Sequence, residues 1–217
     1  MTVPWIIWTA ARTGGTTLYE ALWQASPDLD YIEDEPFAIN TEGWRELLEH
    51  SPRRYVIKHL LDPHEDEFNI DLAKAAVEAG YAAIHLVRVN EFARLVSRGI
   101  AMQLRAWHPA HSLPLIDEVL SGKRTLEPLD VHGLIAYSRQ CRRQWEAVEP
   151  YLRDNLITVR YEDLYSNNRN LVEAQLWPFL DIDLNISDRL VTGGQDSRRI
   201  WHLIPNLDAL RYGLYAG

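Results

Sequence analysis

Short apolar runs alternate with longer amphipathic stretches along this chain. Four runs, PWIIWT (4–9), YVIKH (55–59), AAIHLVR (82–88) and LITVRY (156–161), are apolar at most positions. Runs of this length, bounded by turn residues, predict strands buried in a sheet. A shorter stretch, DYIE (30–33), predicts a fifth. Between them, helical patterns cover 16–26, 42–49, 70–79 and 91–105. The clearest helix runs over about 130–153, where Leu134, Tyr137, Cys141, Trp145, Val148 and Leu152 recur every three or four residues and share one face. Another helix is predicted over about 170–180, with Pro178 near its end, and a short terminal one over 207–215. The stretch 106–129, rich in Pro, His and turn residues, and the stretch 187–206 both read as loops.

Strands that alternate with helices pair in parallel, with helices covering both faces of the sheet. The predicted class is therefore α/β: a three-layer sandwich with a central parallel sheet, like that of the P-loop NTPases. The 217 residues show no shift in composition, which predicts a single domain, 1–217.

Composition narrows the function classes. Hydrophobic residues make up 47% and charged ones 24%, as in ordinary soluble proteins. A net charge of −9 argues against a general binder of nucleic acid or anionic membrane, although the pairs Arg53/Arg54, Arg142/Arg143 and Arg198/Arg199 allow a local basic pocket. The single cysteine, Cys141, excludes an internal disulfide and fits a reducing compartment. No run has the length of a membrane span, and no basic stretch followed by an apolar core opens the chain, so a cytoplasmic location is expected. His108, His111 and the acidic run 62–67 lack the ligand number and spacing of a zinc site, and no metal is expected.

The first apolar run leads into TAARTGGTTLYEAL, residues 9–22. A strand, a Gly/Thr turn and a helix form an anion cradle, because a helix start presents unbonded N–H groups and a positive dipole end. Gly14 and Gly15 let the backbone approach an anion, Thr16 and Thr17 add hydroxyls, and Arg12 adds a planar cation suited to oxyanions. The nucleotide P-loop pattern needs Gly-Lys-[Ser/Thr], which is missing here; this counts against a small-molecule kinase using Mg²⁺-ATP.

Three further stretches follow in order: YIEDEPF (31–37), LVRVNEFARLVS (86–97) and VRYEDLYSN (159–167). With the turn, they resemble the sulfotransferases that use 3′-phosphoadenosine 5′-phosphosulfate (PAPS), from residue 4 to about 180, and IPNLDALR (204–211) resembles the tail of some bacterial members. The resemblance implies that Arg12, Thr13, Gly14, Gly15, Thr16 and Thr17 cradle the 5′-phosphosulfate. It implies that Arg88 and Ser97 grip the 3′-phosphate. Their spacing is one residue longer than the family's usual one, so either the strand end is shifted by one residue or Arg94 or Arg98 helps. Gly15 stands where the family often has Ser or Thr, so one hydroxyl is lost, and a binding protein without turnover stays open as an alternative. The Tyr161-Glu162-Asp163-Leu164 motif is mainly architectural in the family, its carboxylates capping a helix or holding an arginine.

Sulfuryl transfer needs in-line placement, stabilised charge on the leaving phosphate, and a base for the acceptor. The resemblance implies Glu35, in the EPF segment, or His59, in YVIKH, as the base, and Lys58 as the group that stabilises the leaving phosphate. Adjacent strand residues point to opposite faces, so Lys58 and His59 are not both expected at the site while the strand continues. The loop 193–202 brings Arg198 and Arg199 as candidates to close over the 3′-phosphate, and Trp107, His108 and His111 are candidates for the acceptor side. The acceptor class expected is a small molecule or glycan carrying a hydroxyl or amine; the sequence declares no oligomeric state.

Overall fold

The computed structural model describes residues 2–32, 43–49, 54–165, 169–182 and 197–215. In chain order these form β1 (Trp5–Thr9), α1 (Gly15–Gln24), β2 (Asp30–Tyr31), α2 (Trp44–Glu49), β3 (Tyr55–Leu60), α3 (Asp66–Glu78), β4 (Ala82–Val87), α4 (Glu91–Leu104), α5 (Pro109–Leu120), α6 (Val131–Leu152), β5 (Leu156–Arg160), α7 (Tyr161–Leu164), α8 (Arg169–Leu180) and α9 (Leu207–Tyr215). Single 3₁₀ segments lie at Arg153–Asn155 and Ser197–Leu203. The chain divides into two compact units, Met1–Val89 with Cys141–Thr192, and Asn90–Gln140 with Gly193–Gly217.

The first unit holds a five-stranded sheet in the order β2-β3-β1-β4-β5, every pairing parallel. The α/β class with a parallel sheet between helical layers is as expected. The strand alternation sorts the core into two layers. On one face Trp5, Ile7, Val56, Ala82, Ile84, Leu86 and Val159 pack against α1 and α8 through Leu18, Tyr19, Leu22, Leu176 and Leu180. On the other, Ile6, Trp8, Ile57 and Ala83 pack against α3 and the end of α6 through Leu72, Ala76, Val148 and Leu152. Tyr19 ties the first layer together: its hydroxyl donates to the Ile32 carbonyl and lies 3.3 Å from the Val56 carbonyl.

This strand order fixes where a ligand can bind. β1 is central, with β3 and β4 on either side, and the chain turns in opposite directions from that point. Ligands of open α/β sheets bind at such a switch point, beyond the carboxyl ends of the strands. Thr9 lies level with Leu60 of β3 and Leu86 of β4, and Leu86 with Val159 of β5. The turn after β1 is thus flanked by the ends of three other strands.

The second unit is helical. α4 begins at an Asn90 cap whose side chain accepts from the Ala93 N–H at 2.9 Å. Arg94 is buried there in a bidentate pair with Glu91, at 2.8 and 2.6 Å, and Ser138 donates to the same carboxylate. The region 106–129 corrects the expectation of a continuous loop, because α5 occupies its centre. Pro109 takes the first helical position, where its missing N–H costs nothing, and the His108 side chain caps the helix from before it. Of the stretch 187–206, residues up to 196 lie outside the described ones, and Ser197–Leu203 forms 3₁₀ turns rather than open loop.

Candidate functional site

The turn after β1 is built by its own side chains. Thr9 donates to the Leu86 carbonyl at 2.9 Å, holding β1 to β4 where the turn begins. The buried Thr13 hydroxyl lies within donating reach of both the Ala10 carbonyl, at 2.8 Å, and Thr9 Oγ1. Of the predicted cradle residues, Thr13 therefore uses its hydroxyl to shape the turn. Arg12 and Gly14 both take left-handed backbone, at φ 71° and 81°. For Gly14 this is free of strain, whereas for Arg12 it costs on the order of 1 kcal/mol. Strain of this kind gathers at functional sites.

α1 starts at Gly15 with Gly14 as its cap, and no side chain caps it. The ends of the flanking strands meet it there. From β3, Lys58 sends its Nζ to Thr16 Oγ1 at 3.0 Å, and its side chain is 4% exposed. The loop lacks the P-loop lysine, and an amine reaches the helix start from the neighbouring strand instead. A Cβ on Gly15 would lie 3.1 Å from Lys58 Cδ and 3.2 Å from Thr9 Cγ2, so this glycine gives the lysine its path.

From β4, Arg88 donates through Nη1 to the Arg12 carbonyl at 3.2 Å. Burial, and then the neighbouring Arg88 charge, lower Arg12 to about 10, so it keeps its proton at neutral pH. Two guanidiniums, an amine and threonine hydroxyls thus converge on one turn in the first unit. Glu162 is turned to another use, with its Oε2 accepting from the Val89 N–H at 3.0 Å. A donor set of this kind fits an oxyanion carrying more than one negative charge.

His59 is placed elsewhere. β3 continues to Leu60, so His59 points to the opposite face from Lys58. Its Nε2 bonds to Asn69 Oδ1 at 2.7 Å, and its ring lies between Trp8, edge-on at 5.0 Å, and His64, stacked at 5.0 Å. Complete burial lowers its pKa to about 3, only partly offset by Asn69. Such a ring is a neutral core residue. Glu35, the other candidate base, lies outside the described residues.

The remaining candidates belong to the second unit. Ser97 is buried in α4. Arg94, one of the two possible helpers of Arg88, is held by Glu91; the other, Arg98, lies over the Tyr137 ring at 3.6 Å. Arg199 pairs with Asp117 at 3.0 Å and Arg198 lies near the Trp201 ring at 5.9 Å. Trp107, His108 and His111 are exposed.

Sequence reasoning missed two residues at the turn. Tyr165 donates from its hydroxyl to the Gly14 carbonyl at 3.3 Å, and the Tyr161 ring lies 4.4 Å from the Arg88 guanidinium. The visible signal was two tyrosines four residues apart just after a strand, since such a spacing puts both on one side of a helical turn.

No protein-family model and no curated protein sequence matches the chain. Solved structures do. One is a crystal structure of mouse sulfotransferase SULT7A1 complexed with PAP, with a TM-score of 0.54 and 18% identity over 87% of this chain and 64% of that one. The chain thus spans a little under two thirds of that protein's length. Another is the sulfotransferase domain of the Synechococcus PCC 7002 olefin synthase, with a TM-score of 0.48 and 14% identity over 96% of this chain and 84% of that one. The fold of this chain is that of a sulfotransferase.

Proposed function

We propose that this chain is a PAPS-dependent sulfotransferase that transfers a sulfuryl group to a hydroxyl or amine of a small-molecule or glycan acceptor. The observation that carries the reading is the turn 12–17 with Lys58 Nζ at its helix start and Arg88 on its backbone. It sits at the switch point of a sheet whose fold is that of a protein complexed with PAP. The donors present suit a phosphosulfate, and no lysine within the loop itself serves a nucleoside triphosphate.

In this reading the main chain of Arg12 to Thr17 and the Thr16 hydroxyl hold the 5′-phosphosulfate. Lys58 stabilises the negative charge that grows on the leaving phosphate as the sulfur–oxygen bond breaks. Arg88 serves the 3′-phosphate; the resemblance offers Ser97, and the loop 193–202 offers Arg198 and Arg199, as further candidates for that group. Glu35 takes the acceptor's proton as the oxygen or nitrogen attacks in line. The neutral, packed state of His59 argues for Glu35 between the two candidate bases. Among the described residues no helix is long and apolar enough to cross a membrane. The acidic chain favours a small acceptor over a nucleic acid, and the single cysteine favours a reducing cytoplasm.

Calorimetry with 3′-phosphoadenosine 5′-phosphate (PAP), against ATP and 5′-AMP, tests this directly. Binding that needs the 3′-phosphate and no Mg²⁺ is expected. A preference for Mg²⁺-ATP would turn the assignment to a small-molecule kinase. In the same assay Glu35→Gln is expected to keep PAP binding while turnover falls by about 10²-fold or more. A protein that binds PAP but transfers nothing with any acceptor would leave a nucleotide-binding relative without turnover.

A further inference from the structure

β5 ends level with β4, Arg160 being paired with Val87, and α7 follows at once. Leu164 anchors this short helix in the core, and Glu162 ties it to the Val89 N–H. Tyr161 and Tyr165 then sit one helical turn apart, their ring centroids 4.5 Å from each other, against the turn after β1. A Cβ built on Gly14 would lie 3.0 Å from Tyr161 Cδ2, Tyr161 Cε2 and Tyr165 Oη alike. The two rings therefore close the space behind the Gly14 peptide.

Each tyrosine also makes a directed contact. The Tyr165 hydroxyl donates to the Gly14 carbonyl at 3.3 Å, with the Thr17 side chain as a further hydrogen-bonding neighbour of the phenol. This one phenol links the last turn residue to the first turn of α1. The Tyr161 ring lies under the Arg88 guanidinium, whose Nη1 reaches the Arg12 carbonyl. A cation held on a ring face and by a carbonyl has little freedom left, and a preset donor loses less on binding.

We propose that Tyr161 and Tyr165 are positioning residues of the anion site: Tyr165 sets the Gly14 peptide that opens the cradle, and Tyr161 sets the Arg88 guanidinium beside it. This rests on the reading given under Proposed function. The YEDLY segment thereby joins two parts of the nucleotide site, the turn and the arginine, through side chains that never touch the sulfuryl group. Burial raises the Tyr165 pKa to about 12, so the phenol remains a donor throughout the working range of pH.

The test measures PAP affinity by calorimetry, with thermal midpoints recorded beside it, for wild type, Tyr165→Phe, Tyr161→Leu, Tyr161→Phe, Arg88→Ala and the double variant Tyr161→Leu/Arg88→Ala. Tyr165→Phe is expected to weaken PAP binding about fivefold, as for one lost hydrogen bond. Tyr161→Leu is expected to weaken it about tenfold, and Tyr161→Phe, which keeps a ring under the guanidinium, to restore most of that loss. Because Tyr161 acts through Arg88, the double variant should bind no worse than Arg88→Ala alone. Simple packing residues would lower the midpoints and leave the affinity of folded protein unchanged. If wild type binds PAP while both tyrosine variants stay within twofold of it, or if the Tyr161 and Arg88 losses add in full, this inference falls and the proposed function stands. If wild type does not bind PAP, both fall.

Discussion

Lys58 and His59 are neighbours in one strand, yet they lie on opposite faces of the sheet in very different surroundings. On the face covered by α1, the core gives way at the strand ends to threonine, lysine and arginine around a strained turn. On the face covered by α3 and α6, the corresponding level holds Trp8, His59, Phe68 and His64 in a packed aromatic cluster. Both side chains are buried, at 4% and 1% exposure. Burial alone therefore says nothing of function; what each polar atom meets does. The lysine amine meets a hydroxyl at a helix start, and the imidazole meets an amide inside a hydrophobic layer.

The largest effect expected from this contrast is a crossed pair of substitutions. Lys58→Met keeps length and apolar packing while removing the amine, so turnover should fall by about 10²-fold with a thermal midpoint close to wild type. His59→Ala should do the reverse. It leaves a cavity and takes the His59 partner from Asn69 Oδ1, while Asn69 Nδ2 keeps the Leu61 carbonyl, costing about 3 kcal/mol of stability, and turnover per folded molecule stays near wild type. Steady-state kinetics beside thermal melts reads both quantities. A His59→Ala protein that folds well but turns over as poorly as Lys58→Met would return the histidine to the site.

The acid limb of the stability curve sharpens the same contrast. Burial lowers His59 to about 3 and His85, stacked on Trp145 at 3.5 Å, to about 4. Both rings face the α3 and α6 layer, and both are neutral in the folded chain. The unfolded chain takes up their protons below the ordinary histidine value of about 6.5. The stability they contribute is therefore complete above pH 6.5 and is lost as pH falls toward 4 and below. Each group contributes a slope of up to about 1.4 kcal/mol per pH unit in that window. Denaturation midpoints read between pH 6.5 and 5 lie above most carboxylate titrations. His64, stacked on His59, is also lowered by burial and adds to the same limb. His85→Phe, which keeps an aromatic ring on Trp145, should therefore remove about a third of the slope, and an unchanged slope would mean that the ring is not held neutral.

The two faces were not equally legible beforehand. Apolar runs gave the strands, and their alternation with helical patterns gave the parallel sheet, because buried strands leave an unmistakable composition. The strand, turn and helix at 5–24 were legible from the apolar run and the Gly/Thr segment after it, but that segment alone also suits a plain tight turn, and its reading as an anion site came from the stretches that follow it. α5 was hidden because Pro109, His108 and Pro114 suggest a loop, whereas one proline takes the first helical position and the histidine serves as cap. The tyrosines were hidden for a different reason. Their roles depend on β5 ending beside β4, and that adjacency is a fact of strand order that no local pattern carries. For Arg88, the spacing to Ser97 left helpers open, and the Glu91 carboxylate that holds Arg94 becomes visible only once α4 and its cap are in place.

The smallest expected effect separates stability from function at a single atom. Gly15 sits at the first position of α1, where alanine is the better helix former, by up to about 1 kcal/mol. Yet a Cβ there would press on Lys58 Cδ at 3.1 Å and on Thr9 Cγ2 at 3.2 Å. The threonine is fixed by its bond to the Leu86 carbonyl, so the lysine stem is the part that can move. A shift of a few tenths of an ångström is cheap for a chain of methylenes but displaces the amine from Thr16. Gly15→Ala is therefore expected to melt within about 2 °C of wild type, the helix gain offsetting the crowding, and to lose several-fold in kcat with little change in PAP affinity. If kcat is unchanged, the lysine tolerates displacement and its placement over Gly15 is incidental. If the protein is strongly destabilised, Thr9 rather than Lys58 absorbs the contact, and the glycine serves the sheet edge instead of the amine.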